Sequence, residues 1–172
     1  MTDADPTILR TDIIDHMPTL MHYAEECPHI TELGTAYGTS TQAFLKGHPK
    51  VFHTYDIELP YNLDFLKERA NIEKVEFYFH LENTLDTTIE ETDLLFIDTN
   101  HIYSHLKKEL ELHGNKSRKY IIVHDTETYK YTDHSGDKGL WPAIEKFIAI
   151  NPLWKVKEHF TYNNGLTVLI KS

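Results

Sequence analysis

Short apolar stretches alternate with amphipathic segments along most of the chain. Alternating or continuous apolar runs predict strands at 30–33, 51–57, 75–80, 93–98, 120–123, 154–162 and 166–170. Apolar residues at helical spacing predict helices at 39–46, 60–71, 102–113 and 141–150. They also predict one or two helices within 7–26, where Pro18 interrupts the pattern.

The order of these elements predicts a sheet whose strands are mostly parallel. Five strand–helix units come first, and two strands follow around Asn163-Asn164-Gly165, where Asn-Gly is typical of a hairpin turn. The sequence therefore predicts a doubly wound α/β fold with a mostly parallel seven-stranded sheet and a C-terminal antiparallel hairpin. Because there is no internal repeat and no Gly/Ser-rich linker, residues 1–172 are predicted to form one domain.

Composition and charge narrow the choice of partners. The net charge is −10, and an acidic chain is poorly suited to a nucleic-acid backbone, whose binding depends on Lys and Arg. No apolar run approaches the roughly 20 residues that cross a bilayer, and the acidic N-terminus lacks the features of a secretory signal. Cys27 is the only cysteine, which fits a reducing compartment. We expect a cytoplasmic protein that binds neither nucleic acid nor membrane.

The stretch ITELGTAYGTS at residues 30–40 contains the first candidate site. Glu32 precedes Gly34, Gly38 follows, and a helix is predicted to begin directly after Gly38. The spacing is not the GxGxxG of dinucleotide-binding folds, and the stretch has no Lys for a phosphate-binding loop. Taken alone, it is compatible with a turn that wraps a nucleotide-like cofactor and with a simple bend between a strand and a helix.

Polar residues or glycines follow each of the five predicted parallel strands. The carboxyl ends of such strands meet at one edge of the sheet, where α/β proteins bind ligands. The residues in question are Glu32, Gly34 and Gly38, then Asp56, then Asn83 and Thr84, then Asp98 and His101, and finally His124 and Asp125. Strands also end in polar loops that have no function, but the recurrence of acids favours a functional edge.

Three of these residues suit a nucleoside. Asp56 ends the second strand about 20 residues beyond the glycine turn, where a carboxylate accepts hydrogen bonds from ribose hydroxyls. Asn83 and Thr84 offer neutral donors and acceptors for a purine edge.

Three others suit chemistry on a bound ligand. Asp98 and Asp125 end neighbouring strands, and two carboxylates there are suited to hold a divalent cation. His101 is a candidate general base, although packing of its ring against Tyr103 or Tyr129 explains it equally well.

Four stretches resemble class I S-adenosylmethionine (SAM)-dependent methyltransferases. The resemblance is to small-molecule O-methyltransferases related to the cephalosporin hydroxylase-like and macrocin-type enzymes, and more distantly to catechol O-methyltransferase. The stretches are ELGTAYGTST (32–41), LLFIDTNHIYSHLKKEL (94–110), YIIVHDTETY (120–129) and NNGLTVLIKS (163–172). Their order along the chain is more specific than any one of them.

The resemblance implies a Rossmann-like methyltransferase fold and roles in binding SAM. It places the ribose beside Asp56 and the adenine beside Asn83 and Thr84. The residues that it places around the rest of the cofactor are Glu32, Gly34, Thr35, Tyr37, Gly38, Ser40 and Asp98.

The resemblance also bears on a metal ion. Metal-dependent members hold Mg²⁺ or a similar ion with an acid after the fourth strand and a pair of residues after the fifth. Asp98, His124 and Asp125 occupy these positions, but imidazole is a poorer ligand than carboxylate for Mg²⁺. Three interpretations stay open: Mg²⁺, another divalent cation, or no ion with His124 acting as a base.

We therefore expect a SAM-dependent methyltransferase that methylates a hydroxyl of a small-molecule acceptor, with Asp98, His101 and His124 as catalytic residues. Because the chain is short and has little material for a lid, the acceptor site is expected to be open or completed by another subunit of a homo-oligomer. One alternative is a cofactor-binding protein without transfer activity, acting as a sensor or subunit. Another is a nucleotide-dependent enzyme with a Rossmann-like sheet, against which the missing GxGxxG argues.

Overall fold

A single seven-stranded sheet runs through the protein, which a computed structural model describes over residues 9–172. The strands are β1 (His29–Leu33), β2 (Val51–Asp56), β3 (Glu76–Leu81), β4 (Thr92–Ile97), β5 (Ser117–His124), β6 (Trp154–Phe160) and β7 (Leu166–Lys171). Their order across the sheet is β3-β2-β1-β4-β5-β7-β6. The first five strands pair in parallel, and β7 pairs antiparallel with both β5 and β6. The predicted fold class is confirmed.

In the described part of the chain, five α-helices flank the sheet: α1 (Met17–Ala24), α2 (Thr39–Lys46), α3 (Leu63–Glu73), α4 (Tyr103–His113) and α5 (Leu140–Ile150). The segment predicted to hold one or two helices contains α1 and a short 3₁₀ turn at Ile14–His16, while its first residues, including Ile8, lie outside the described residues. Pro18 does not interrupt α1, because it lies in the first helical turn, where its missing N–H is not needed. Within residues 9–172, no helix is long and apolar enough to cross a membrane.

Side chains alternate between the two faces of the sheet and build a core on each. On the α1–α2 face, Phe44 packs with Phe52 and Phe96. On the α4–α5 face, Leu95 and Ile121 belong to the second core. Since β4 is buried on both faces, its continuous apolar run reflects a central parallel strand.

The predicted count of five strand–helix units was one too many, because neither the predicted helices nor the structure places a helix between β3 and β4. Residues 82–91, which cross from β3 to β4, contain no helix. This segment, ENTLDTTIEE, lacks an apolar stripe at helical spacing, and only Ile89 is a buried hydrophobic residue. No helix therefore follows β3, and Tyr78 of that strand is 47% exposed.

Candidate functional site

The glycine turn lies where β1 approaches the end of β4. Gly34 has φ +95°, and a Cβ at this position would lie 2.1 Å from the carbonyl oxygen of Asp98. Gly38 directly precedes α2 with φ +72°, and a Cβ there would lie 2.7 Å from Leu66 Cδ1. The two glycines are thus required by contacts with protein atoms, which hold the turn against β4 and α3.

The carboxylate of Asp56 holds the same turn from the neighbouring strand. Its Oδ2 accepts hydrogen bonds from the backbone N–H groups of Thr35 (3.0 Å) and Ala36 (2.8 Å). Its Oδ1 accepts one from the N–H of Glu58 at 3.0 Å. A carboxylate has about four lone-pair sites, so Asp56 keeps capacity for a ligand hydroxyl.

Glu32 lies beneath the turn and is fully buried. Its carboxylate accepts hydrogen bonds from the hydroxyls of Ser40 (2.6 Å), Thr41 (2.6 Å) and Thr54 (2.7 Å). Burial raises the pKa of Glu32 to about 7, although the three hydroxyl donors oppose the shift. Glu32 therefore ties β1, β2 and α2 together below the site.

Two adjoining cavities open at this edge of the sheet and share Gly34, Ala36, Asp98 and Thr99. The larger, about 370 Å³, is also lined by Tyr55, Asp56, Ile57, Glu58, Asn83, Thr84, Asn100 and His105. The smaller, about 200 Å³, is also lined by Arg10, Asp12, Ile13, Thr35, Tyr37, Thr39, Ser40, His101, His124 and Asp125. The larger has the size of a small-molecule site.

Two carboxylates and two imidazoles meet on the wall of the smaller cavity. His101 Nε2 is 2.6 Å from Asp125 Oδ2 and 3.9 Å from Asp98 Oδ1. His124 Nδ1 is 3.3 Å from Asp98 Oδ1 and 3.2 Å from Asp125 Oδ2. Ligand atoms of Asp98, His101 and Asp125 all lie within 4.8 Å of one another, a spacing from which side chains can close on a cation. We call these four residues the acid–imidazole cluster.

The charges of this cluster stabilise one another. Burial lowers the pKa of His101, but Asp125 and Asp98 outweigh it and raise the pKa to about 9. For His124, burial again opposes protonation, and the charge of Asp98 together with Asp125 raises the pKa to about 11. The imidazoles in turn hold the pKa values of both carboxyls below their usual range. These shifts favour protonated imidazoles that pair with the two carboxylates in this state, and the role of His101 or His124 as a base stays a prediction.

No protein-family model matches the sequence, and no curated protein matches it. Solved structures of methyltransferases do match. An O-methyltransferase from Bacillus cereus in complex with SAH (S-adenosylhomocysteine) has a TM-score of 0.68 at 18% identity, over 92% of this chain and 81% of that one. The SAH-bound Podospora anserina methyltransferase PaMTH1 has a TM-score of 0.61 at 20% identity, over 100% and 82%. The chain has the fold of class I SAM-dependent methyltransferases.

The match includes methyltransferases that differ in the acceptor atom. The Burkholderia thailandensis 1,6-didemethyltoxoflavin-N1-methyltransferase, with its substrate and SAH bound, has a TM-score of 0.65 at 13% identity, over 92% of this chain and 78% of that one. The methyltransferase fold by itself therefore does not specify whether the acceptor is oxygen or nitrogen.

The methyltransferase fold brings most of the predicted site residues together. Those that line the two cavities are Gly34, Thr35, Tyr37, Ser40, Asp56, Asn83, Thr84, Asp98, His101, His124 and Asp125. Glu32 and Gly38 line neither cavity and lie behind the turn. His101 is both a cluster member and a packing residue, since its ring stacks on Tyr129 with the centroids 4.6 Å apart.

Glu109 supports the larger cavity and was missed by sequence reasoning. It is fully buried on α4 and accepts hydrogen bonds from the hydroxyls of Thr84 (2.6 Å) and Thr99 (2.8 Å). His105 Nε2 lies 3.3 Å from it. The detectable signal was an acid three residues after Leu106, on the apolar face of a predicted helix.

Arg10 and Asp12 on the rim of the smaller cavity were missed as well. The guanidinium of Arg10 pairs with Asp12 at 2.9 Å and lies over the ring of Tyr37, 4.9 Å from its centroid. The Arg10 N–H donates to Thr39 Oγ1 at 2.9 Å. Nothing in the local pattern placed this N-terminal segment over the glycine turn, because the contact depends on tertiary packing.

The hairpin turn after β6 also reaches the site. Asn163, Asn164 and Gly165 all have positive φ. The carbonyl of Asn163 accepts hydrogen bonds from His124 Nε2 at 3.2 Å and from the buried His16 Nε2 at 3.0 Å. This fixes the His124 ring so that its Nδ1 points at the two carboxylates, where it is buried without a hydrogen bond of good geometry.

The loop after β5 closes around the start of α4. Asp133 accepts a hydrogen bond from the N–H of Tyr103 at 2.9 Å, and the N–H of His134 donates to the His101 carbonyl at 2.9 Å. This loop is thus tied to His101 through its backbone.

Proposed function

We propose that this protein is a SAM-dependent methyltransferase that methylates a hydroxyl group of a small molecule. The observation that carries the proposal is the acid–imidazole cluster, which lies on a cavity wall beside the glycine turn of a methyltransferase fold. A protein that only binds the cofactor has no need of two carboxylates at that wall. Titratable groups at that wall favour an oxygen acceptor, since a hydroxyl must lose its proton on methylation.

The cofactor is proposed to occupy both cavities. The larger cavity offers Asp56 for the ribose, and Asn83 and Thr84 for the base. The smaller offers Ser40 and the turn around Gly34 for the methionine part. Methyl transfer from a sulfonium requires alignment of nucleophile, carbon and sulfur, so the rigid turn contributes chiefly by positioning.

A divalent cation fits the cluster. Asp98 and Asp125 would hold it together with His101 or His124, whose ring nitrogens lie within 3.9 Å of these carboxylates. Two carboxylates with imidazole favour a transition-metal ion over Mg²⁺. Such an ion, when bound, would lower the pKa of an acceptor hydroxyl.

The two histidines are proposed to have different roles. The side chain of His101 is 30% exposed, whereas that of His124 is 2% exposed. Only His101 reaches the cavity well enough to exchange a proton with an acceptor, and it must first lose the proton that Asp125 stabilises. His124 is a positioning residue that orients the two carboxylates.

Calorimetry with SAM, SAH and NAD tests the cofactor. We expect both sulfur cofactors to bind and NAD not to bind. The absence of SAM and SAH binding would contradict the proposal, and binding of NAD alone would favour the nucleotide-dependent alternative.

Transfer of a labelled methyl group to a panel of phenols and polyols tests the reaction. Asp98→Ala is expected to abolish transfer while SAH still binds, and Glu68→Gln on the exposed face of α3 is the matched acidic control. Transfer by Asp98→Ala at the wild-type rate would overturn the proposed role of the cluster. SAH binding without transfer to any acceptor would favour a sensor or subunit. The cytoplasmic location, the homo-oligomer and the absence of nucleic-acid binding stay predictions.

A further inference from the structure

The part of the sheet next to the helix-free crossover carries a second group of metal-ligating side chains. The crossover at 82–91 contains no helix, and one of its residues, Glu90, approaches His29 of β1 and His53 of β2. His53 stacks on Tyr78 with the ring centroids 4.8 Å apart, and Tyr55 stacks on His80 at 4.2 Å. His29, on β1, lies against His53 with the centroids 5.3 Å apart.

His29 lies away from the cofactor edge. It is the first residue of β1, and Leu33, next to the glycine turn, is the last. Four residues of extended strand separate them by about 13 Å. His53 lies beside Thr31, in the middle of β1, so the candidate ligands His29 and His53 lie on the side of the sheet's midline away from Gly34 or close to it.

The imidazoles are arranged as ligands are in metal sites. His53 Nδ1 is 2.9 Å from His80 Nε2, which leaves the Nε2 of His53 for another partner. Metal-binding histidines commonly use their second ring nitrogen in a hydrogen bond that fixes the ring. The Nε2 of His29 is buried and has no hydrogen-bond partner, which is costly for a polar atom.

An acid from the crossover completes the group. One ligand atom each from His29, His53 and Glu90 lies within 4.8 Å of the other two. Ligands around a tetrahedral Zn²⁺ with bonds near 2 Å are about 3.3 Å apart. Glu90 is exposed on an extended segment, so its side chain is free to approach an ion held by the two imidazoles.

We propose that His29, His53 and Glu90 bind a divalent transition-metal ion of the Zn²⁺ type, separately from the acid–imidazole cluster. Two imidazoles and one carboxylate with room for water are a known Zn²⁺ ligand set and a poor one for Mg²⁺ or Ca²⁺. The ion links β1 and β2 to the β3–β4 crossover. Because the same crossover carries Asn83 and Thr84, the ion restrains the wall of the larger cavity.

Cobalt(II) absorption in tag-free protein tests the site, since Co²⁺ replaces Zn²⁺ and reports tetrahedral coordination with nitrogen ligands. The background is Asp98→Asn with Asp125→Asn, which removes the carboxylates of the other cluster; Asn tolerates the positive φ of residue 125. We expect this protein to bind one Co²⁺ that Zn²⁺ displaces. Adding His53→Gln or Glu90→Gln is expected to weaken binding at least tenfold, while His22→Gln, an exposed histidine on α1, leaves it unchanged.

Equal Co²⁺ affinity in the His53→Gln, Glu90→Gln and His22→Gln proteins would overturn the proposal. So would the absence of any Co²⁺ binding in the background protein. Glu90→Gln lies on an exposed position, so its loss of affinity does not reflect misfolding. Hydrogen exchange adds a second readout: Zn²⁺ is expected to slow amide exchange at 86–91 in the background protein and to have no such effect after Glu90→Gln.

Discussion

At the residue scale, groups that the sequence marks as ligand contacts also hold the protein together. Asp56 binds two backbone N–H groups of the glycine turn, and Glu32 binds three hydroxyls beneath it. A Cβ at Gly34 would clash with the backbone of Asp98, so contacts within the protein are enough to require glycine there. Their residue types are thus set jointly by packing and by the site that the packing creates.

Gly34→Ala should show this dependence on backbone contact. Its Cβ would lie 2.1 Å from the Asp98 carbonyl oxygen at φ +95°, so we expect a loss of about 3 kcal/mol or more in the free energy of unfolding. Gly136 has a similar φ of +86°, but a Cβ there would have no atom within 4 Å, so Gly136→Ala should cost only the backbone strain, about 1–2 kcal/mol. Urea denaturation measures both, and equal losses would show that the contact with β4 is unimportant.

Glu32 should make stability depend on pH. Its folded pKa of about 7 lies above the ordinary value of 4.5, so the folded state binds an extra proton between these two values. The stabilisation linked to Glu32 is fully present below pH 4.5 and is lost as the pH rises through 7, with a total on the order of 3 kcal/mol. Urea unfolding from pH 4.5 to 8 should show a smaller decline in Glu32→Gln than in wild type. The exposed Glu68→Gln variant should keep the wild-type slope, and an unchanged slope in Glu32→Gln would refute the assignment.

At the element scale, the segments that connect strands and helices determine the composition of the site more than the strands and helices themselves do. The crossover at 82–91 supplies Asn83 and Thr84, and the segment before α1 supplies Arg10. The hairpin turn at 163–165 holds His124 and His16 through one carbonyl. Each of these segments is irregular, and each contributes through backbone groups as much as through side chains.

Asn163→Gly should loosen the segment before α1. The side chain of Asn163 accepts from the Asp15 N–H and donates to the Thr11 carbonyl, and both bonds are lost in the variant. Glycine keeps the φ of +46° and the backbone carbonyl that binds His124. Hydrogen exchange at residues 10–16 should accelerate.

Asn164→Gly is the matched control for that experiment. It keeps a neighbouring positive φ and loses only the bond from Thr128 Oγ1. Its exchange at residues 10–16 should equal that of wild type. Faster exchange there in both variants would mean that the hairpin backbone, not the Asn163 amide, anchors the segment.

At the scale of the whole molecule, the sheet joins the two halves of the chain. β1 pairs with β4, so residues from the first and second halves are neighbours at the centre of the sheet. The edge where the five parallel strands end then places the glycine turn and the acid–imidazole cluster side by side. The net charge of the chain is −10, so the positive charge at this edge comes from local groups such as Arg10 and the histidines.

We expect the protein to unfold as one cooperative unit. Trp141 and Trp154 both lie in the C-terminal half, so their fluorescence reports that half, while circular dichroism reports all helices and strands. The two transitions in urea should coincide, because the shared sheet leaves no independent part. SAH at 100 times its dissociation constant should raise the unfolding free energy seen by both probes by about 2.7 kcal/mol. Separate midpoints would contradict a single domain.

The sequence by itself determined the fold class, because the periodicity of apolar residues reports which faces are buried. It also determined most of the candidate edge, because parallel strands end on one side and the residues after them can be read in order. The Asp98, His101, His124 and Asp125 positions follow from that rule. The expected count of five strand–helix units was one too many, because local composition at 82–91 does not support a helix.

Only the tertiary structure decided what depends on contacts between distant segments. In the folded protein Glu32 is a buried support, Glu109 lies beneath the larger cavity, and Arg10 lies over the glycine turn. The tertiary structure also raised the pKa values of His101 and His124 through two carboxylates, a shift that no local pattern encodes. The physical reason is that periodicity fixes the direction of a side chain relative to its own element, whereas its partners and its charge state depend on which elements pack together.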